Sequence, residues 1–190
     1  MKRLFALILT LCLAACAGPP QEVVGAAGSG LPVDARADGS FASRTIPGAG
    51  PLIADYVLVD KSDRLLVAYR NGEPIRAYAN IQFGDAPSGH KRFQGDERTP
   101  EGIYTIDWRN PNSRYHLSLH ISYPNAQDRA YAARYGRSPG GDIFIHGQPN
   151  ALPIGRMRGD WTDGCIALSN AEIEDLWQIV PNGTPIEIRQ

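Results

Sequence analysis

Two side chains in this chain have the types needed for covalent acyl chemistry, His146 and Cys165, nineteen residues apart. His146 follows the short apolar run Ile143-Phe144-Ile145, and Cys165 follows the turn-like pair Asp163-Gly164. A thiol beside an imidazole is the minimal cysteine nucleophile: the base takes the proton and the sulfur attacks a carbonyl. Their separation rules out neighbouring positions on one helix face. They can meet only if the loop from Gln148 to Trp161 folds back and brings two strand ends together. Gly147 and Gly164 flank the pair, and glycine lets backbone groups approach a side chain or a substrate closely.

The other histidines do not make a metal centre. His116 and His120 lie four apart on an alternating segment, hence on one face, but a third ligand would have to be His90 or an acid. There is no HExxH pattern and no cysteine cluster, so no metal and no cofactor is expected.

The stretch from Ile143 to Ser169 carries the pattern HGxP…IG…TxGCI, which resembles the signature of the L,D-transpeptidase catalytic domain, the YkuD family. His146, Thr162, Gly164 and Cys165 match that pattern residue by residue, whereas Asp163 and Ala167 stand where most members carry His and Arg. The resemblance implies a cell-wall enzyme of a divergent branch. Cys165 would attack the carbonyl on the L-centre of the third residue of a peptidoglycan stem, and the terminal D-Ala would leave. An amine would then resolve the thioester. His146 would be base and then acid, with its other ring nitrogen held by the Gly147 carbonyl. Backbone N–H groups at Gly164-Cys165 would meet the oxyanion. Hydrolysis by water, including release of a wall-linked lipoprotein, and a non-catalytic wall-binding lipoprotein are the alternatives.

Asp163 has two possible roles: it orders the Thr162–Cys165 turn, or it hydrogen-bonds His146 as an orienting third member. A carboxylate beside a thiolate would raise the thiol pKa. Ala167 removes one cation, which other arginines must replace. Seven arginines lie between Arg109 and Arg158 against only Asp128 and Asp142. Arginine is the preferred bidentate partner for stem carboxylates. Arg129, Arg156 and Arg158, with Tyr123 and Trp161, are the expected substrate contacts, and Arg129 and Arg134 are spaced for a helix or long loop bordering the site. Tyr115, Tyr131 and Tyr135 also interleave with these charges, as a saccharide or peptide surface would.

The elements that must position this pair read as mainly β, a barrel or sandwich of seven to nine short strands. Strand patterns occupy 54–59, 64–69 and 75–83, with Asn71-Gly72 a strong hairpin signal between the last two. The turn Thr99-Pro100-Glu101-Gly102, which the family also has, leads into strand 103–106. Further strands are expected at 117–122, 142–146 and 185–189. One clear helix follows Cys165: Ser169 and Glu172 make a capping box, and Ile173, Leu176, Trp177 and Val180 space an apolar face. The catalytic domain is expected over 51–190.

Residues 1–15 read as a secretory signal: Met1-Lys2-Arg3 is basic and Leu4–Leu13 is apolar, too short to be an ordinary spanning helix. Leu13-Ala14-Ala15-Cys16 resembles the bacterial lipobox, in which Cys16 is acylated; cleavage after Ala15-Cys16-Ala17 is the alternative. Two or three acyl chains would anchor the protein stably to a membrane facing the periplasm, and Ala17 in place of Asp favours the outer membrane. Residues 16–50, rich in Gly, Ala, Pro and Ser, read as a flexible tether with a mean span of about 30 Å. In such a chain Cys165 is the one thiol left, with no disulfide partner, which favours a working nucleophile. The chain has 190 residues, 43% hydrophobic and 21% charged, as in ordinary globular proteins, and its net charge of −1 gives no field for nucleic acid.

Overall fold

The computed structural model describes residues 52–152 and 154–190. The signal segment, the acylation site at Cys16 and the tether lie outside those residues. The first three strands are β1 (Tyr56–Asp60), β2 (Leu65–Arg70) and β3 (Glu73–Ala79), an antiparallel meander. Arg70 pairs with Glu73, so Asn71-Gly72 is the whole loop, and both residues have positive φ, 52° and 80°. That is what a type I′ turn requires, and Asn and Gly tolerate it best.

The predicted third strand does not run on to Phe83. It ends at Ala79, and the next residues leave to bridge elsewhere, Gln82 with Ala167 and Gly84 with Thr162. This departure matters, because it lays Gln82–Gly84 along the segment that carries the cysteine.

β4 (Gly102–Ser113) and β5 (His116–Ile121) form a long antiparallel arm with register shifts between Ile106 and Trp108 and between Asn110 and Ser113. The sequence Arg109-Asn-Pro-Asn-Ser hides the outer half of β4 from any alternation pattern. β6 (Phe144–His146), β7 (Ile166–Ala167) and β8 (Thr184–Arg189) complete one sheet, ordered β3-β2-β1-β8-β4-β5-β6-β7 and curled as a half-barrel. β8 enters its middle, parallel to β1 and antiparallel to β4, so the last strand joins the meander to the half that bears the site.

Two helices accompany the sheet among the described residues, where the sequence reading resolved one. α2 (Asn170–Ile179) begins at Ser169, whose capping box with Glu172 is complete. It buries Ile173, Leu176 and Ile179 and packs on β5 and β6; each such side chain contributes about 2 kcal/mol. α1 (Ala126–Arg134) starts from a capping box made by Asn125 and Asp128. It buries only Asp128 and Ala132, so it shows no apolar stripe, which is why its sequence left helix and long loop equally open. No helix of the described residues is long and apolar enough to cross a membrane.

Candidate active site

The site is built by one parallel strand pair. Ile145 pairs with Ile166 and His146 with Ala167. Carried back one residue, this register sets Cys165 beside Phe144, whose backbone N–H donates to Cys165 Sγ at 3.4 Å. Side chains alternate along a strand, so Ile145 and Ile166 enter the core while Phe144, His146, Cys165 and Ala167 share the other face. His146 and Cys165 both line one cleft there, with a volume of about 860 Å³.

His146 is 2% exposed. Its Nδ1 lies 2.7 Å from the Gly147 carbonyl oxygen. A carbonyl can only accept, so Nδ1 carries the proton and the lone pair sits on Nε2. Tyr115 stacks on the ring at 4.6 Å and 27°, and Trp161 meets it edge-on at 5.6 Å. Burial in this aromatic sleeve holds the imidazole pKa down at about 4. Gly147 is required for a second reason: a Cβ there would stand 2.6 Å from Asn170 Oδ1 and 3.0 Å from His116 Cβ.

Cys165 is half-buried, and its enclosure, with the Asp163 carboxylate adding to it, pushes the thiol up to about 11. At neutral pH the resting pair is therefore thiol and neutral imidazole. The turn before it is tied by Thr162, whose hydroxyl donates to the Cys165 carbonyl at 2.8 Å and accepts from the Gly164 N–H at 3.3 Å. Gly164 has φ +117°, and a Cβ there would meet the Arg98 carbonyl at 2.4 Å. Asp163, in the same turn, is exposed and faces Glu97, whose carboxyl pKa is raised by its own desolvation and by this neighbouring charge. Asp163 makes no hydrogen bond to His146; the ring nitrogen that a third member would hold is occupied by Gly147.

The loop between the two strands is fastened by glutamines. Gln148, fully buried, donates to the Leu168 carbonyl at 2.6 Å and to Gln82 Oε1 at 3.2 Å, and accepts from the Met157 N–H at 2.8 Å. Gln82 in turn donates to the Met157 and Gly159 carbonyls, and the Trp161 indole N–H reaches Gln82 Oε1 at 3.3 Å. The bidentate Arg64–Asp160 pair, with both contacts at 2.7 Å, closes the loop's far end. Neither glutamine was expected from the sequence; the side-chain partners of Gln82 lie 66 to 79 residues away, so only the folded chain names them.

Of the five expected substrate contacts, Trp161 alone lines the cleft. Arg156 is bound to Glu172 and the Ala79 carbonyl. Arg129 caps the Pro124 carbonyl from α1. Tyr123 is a core residue, 3% exposed, with its hydroxyl on the Pro139 carbonyl. Arg158 is exposed and off the cleft. The cations that do line it are Lys91 and Arg114. Arg114 and Tyr115 come from the β4–β5 turn, which carries no apolar or motif signal. His116 pairs with Glu174 at 2.6 Å and His120 with Asp107 at 2.5 Å.

Residues 54–188 match the family model of the L,D-transpeptidase catalytic domain, YkuD, and the chain belongs to that family. Escherichia coli K12 YafK is 31% identical over 134 residues, covering 66% of this chain and 46% of that protein. Among solved structures, the helical cell shape determining protein Pgp2 of Campylobacter jejuni superimposes with a TM-score of 0.57 at 27% identity, covering 75% of this chain and 52% of that one. Its K307A mutant gives 0.58 at 29% identity, covering 72% and 47%. The chain thus spans about half the length of these relatives.

Proposed function

We propose that this protein modifies peptidoglycan by cysteine acyl transfer. Cys165 Sγ attacks the carbonyl at the L-centre of the third stem residue while His146 Nε2 takes the thiol proton. The tetrahedral oxyanion is met by the Gly164 and Cys165 N–H groups; the long Gly164–Thr162 bond is weak enough to yield to a charged oxygen. Collapse breaks the C–N bond, His146 returns the proton to the leaving D-Ala amine, and a thioester remains. An amine resolves it, losing its proton to His146 as the thiol is regenerated.

The observation that supports this reading is the Nδ1–H of His146 held on Gly147, which leaves the Nε2 lone pair available as a base in the cleft that Cys165 also lines. Because the pair rests neutral, proton transfer accompanies attack instead of preceding it. Arg114, exposed at the cleft, is the group able to hold a stem carboxylate, whereas Lys91 is buried and held by Asp96. Glu97, Asp142 and Asp163 also line it, and three carboxylates favour a cationic amine acceptor over water. That acceptor is another stem or a lysine of a wall-linked lipoprotein. The membership of this family supports an exported protein, and Leu13–Cys16 supports a lipid anchor at Cys16. The similarity to Pgp2 extends the reading to cell shape.

Intact-protein and product mass spectrometry of the full-length chain and of Cys165→Ala with purified disaccharide-tetrapeptide tests it. A transient adduct on Cys165, released D-Ala and cross-linked dimers are the expected result. D-Ala lost to water, or lipoprotein freed from wall, would instead make the enzyme a hydrolase. Absence of adduct and product with retained wall binding would reduce it to a binding module.

A further inference from the structure

A second surface adjoins the cleft and is used by nothing in the acyl-transfer reading. Gln94 and Ser138 line the cleft and are joined by a backbone bond of 2.9 Å. Immediately before each of them stand Phe93 and Arg137, and the Arg137 guanidinium lies 3.9 Å over the Phe93 ring. From α1, Tyr131 and Tyr135 close on the same ring at 6.0 and 5.7 Å and on each other at 5.1 Å. Arg92 covers Tyr131 at 4.4 Å, and Arg134 approaches it at 5.8 Å. The result is an aromatic plate edged by three guanidinium groups.

This plate faces outward: Tyr135 is 60% exposed, and Arg92, Arg134 and Arg137 are exposed. Among the described residues none of the three arginines is in an ion pair. The acids nearby are committed elsewhere. Asp96 accepts from Lys91 Nζ and from the Arg92, Phe93 and Arg98 N–H groups. Asp128 accepts from His90, Tyr104 and the Asn125 N–H. Arginines stacked on rings keep their planar N–H edges free and lose little entropy on binding, which suits bidentate capture of carboxylates. Tyrosines and arginines on a stiff base are the composition of a binding surface.

The geometry points to a docking surface for a second, non-reacting carboxylate-bearing peptide stem of the same wall strand whose reacting stem occupies the cleft. This rests on the proposed function for what enters the cleft. Charge complementarity selects an anionic occupant, and continuity through Gln94 and Ser138 selects one that also extends from the cleft. Two linked contacts raise the affinity for polymer without changing the chemistry of a single stem.

The test is the full-length chain with Arg92→Gln, Arg134→Gln and Arg137→Gln together, exposed changes that keep the aromatic base and lower Tm by only a few degrees through the lost cation–ring contacts. Binding to purified sacculi, measured by pelleting in a Cys165→Ala background, should weaken about tenfold or more and lose most of its salt dependence. The kcat/KM for soluble disaccharide-tetrapeptide should stay within about twofold. Sacculi whose carboxylates have been amidated should bind the unsubstituted arginine protein as weakly as the variant binds native sacculi. Unchanged sacculus binding overturns the proposal. So does an equal fall in monomer turnover, which would make the plate part of the cleft. Loss of binding to phosphatidylglycerol vesicles with sacculus binding intact would assign the plate to a lipid surface and overturn it too. If the arginine protein binds sacculi but never turns over the tetrapeptide, the acyl-transfer reading falls while the arginine effect on binding still decides this one.

Discussion

Tyr115 lies nearly face to face with His146, ring centroids 4.6 Å apart and planes inclined by 27°. The contact joins the β4–β5 turn to the end of β6, and it closes the side of the imidazole that Trp161 leaves open. It keeps water off the imidazole and so keeps it neutral.

Replacing Tyr115 by Ala should therefore hydrate the imidazole. The acidic limb of the pH–rate profile is expected to move up from about 4 toward the ordinary histidine value, with kcat/KM falling about tenfold through lost orientation. Tyr115→Phe keeps the stack and should leave the limb where it is. A limb equally placed in all three proteins would mean that the stack does not set the base.

The same burial makes His146 a source of acid lability. Below about pH 6.5 the unfolded chain takes up a proton on this residue that the folded chain refuses until about pH 4. Stability thus falls as pH falls through that window, by about 3 kcal/mol from this group in full. Urea unfolding of wild type and His146→Asn from pH 7 to 4 should show a shallower decline in the variant.

Iodoacetamide reports the thiol directly, since only the thiolate reacts. The alkylation rate of Cys165 should keep rising with pH toward an inflection at about 11. An inflection below neutrality would reveal a thiolate–imidazolium pair instead. Asp163 raises the thiol by its charge, so Asp163→Asn should move that inflection down. The acidic limb of turnover should not move in this variant, because Asp163 faces Glu97 and not His146.

Gly164→Ala should be far more damaging than an ordinary turn substitution. It combines φ +117° with a Cβ 2.4 Å from the Arg98 carbonyl, a clash between two backbone segments that costs about 3 kcal/mol or more and displaces the Gly164 and Cys165 N–H groups. Gly72→Ala, with φ +80° and open space around it, should cost only about 1 kcal/mol. Thermal unfolding of both variants, side by side, separates the clash from the conformational term.

Gln148→Leu leaves the Leu168 carbonyl and the Met157 N–H without their side-chain partner and strips one of the two donors from Gln82 Oε1. Buried groups stripped in this way cost about 1–3 kcal/mol each. The loop should loosen, and since Trp161 hangs from the same Gln82 oxygen, turnover should fall even at temperatures where the fold persists. Limited proteolysis between Gly155 and Gly159 would read the loosening.

Local pattern was enough for most of the framework. Asn71-Gly72 dictates its hairpin because few other pairs accept positive φ twice. Ser169 and Glu172 dictate the start of α2, and the spacing of Ile173 and Leu176 dictates its buried face. His146 and Cys165 were legible as a pair by type and by the motif around them. α1 was not, because a helix that buries only Asp128 and Ala132 leaves no periodic trace.

What the sequence by itself determined, then, is most of the strands, the capped helix and the two side chains proposed to react. The tertiary structure alone decided which neighbours those groups have. The parallel register of β6 on β7 turns Cys165 and His146 to one face. Gln82 reaches the site by its bridge to Ala167 and the β4–β5 turn through the pairing of β5 with β6, while Arg156 and Tyr123 are committed to Glu172 and the Pro139 carbonyl. The physical reason is one of range. Turns and caps are settled by hydrogen bonds within a few residues, whereas a side chain's company in a sheet depends on pairings between segments such as Gln82 and Ala167, 85 residues apart, that form only when the whole core closes.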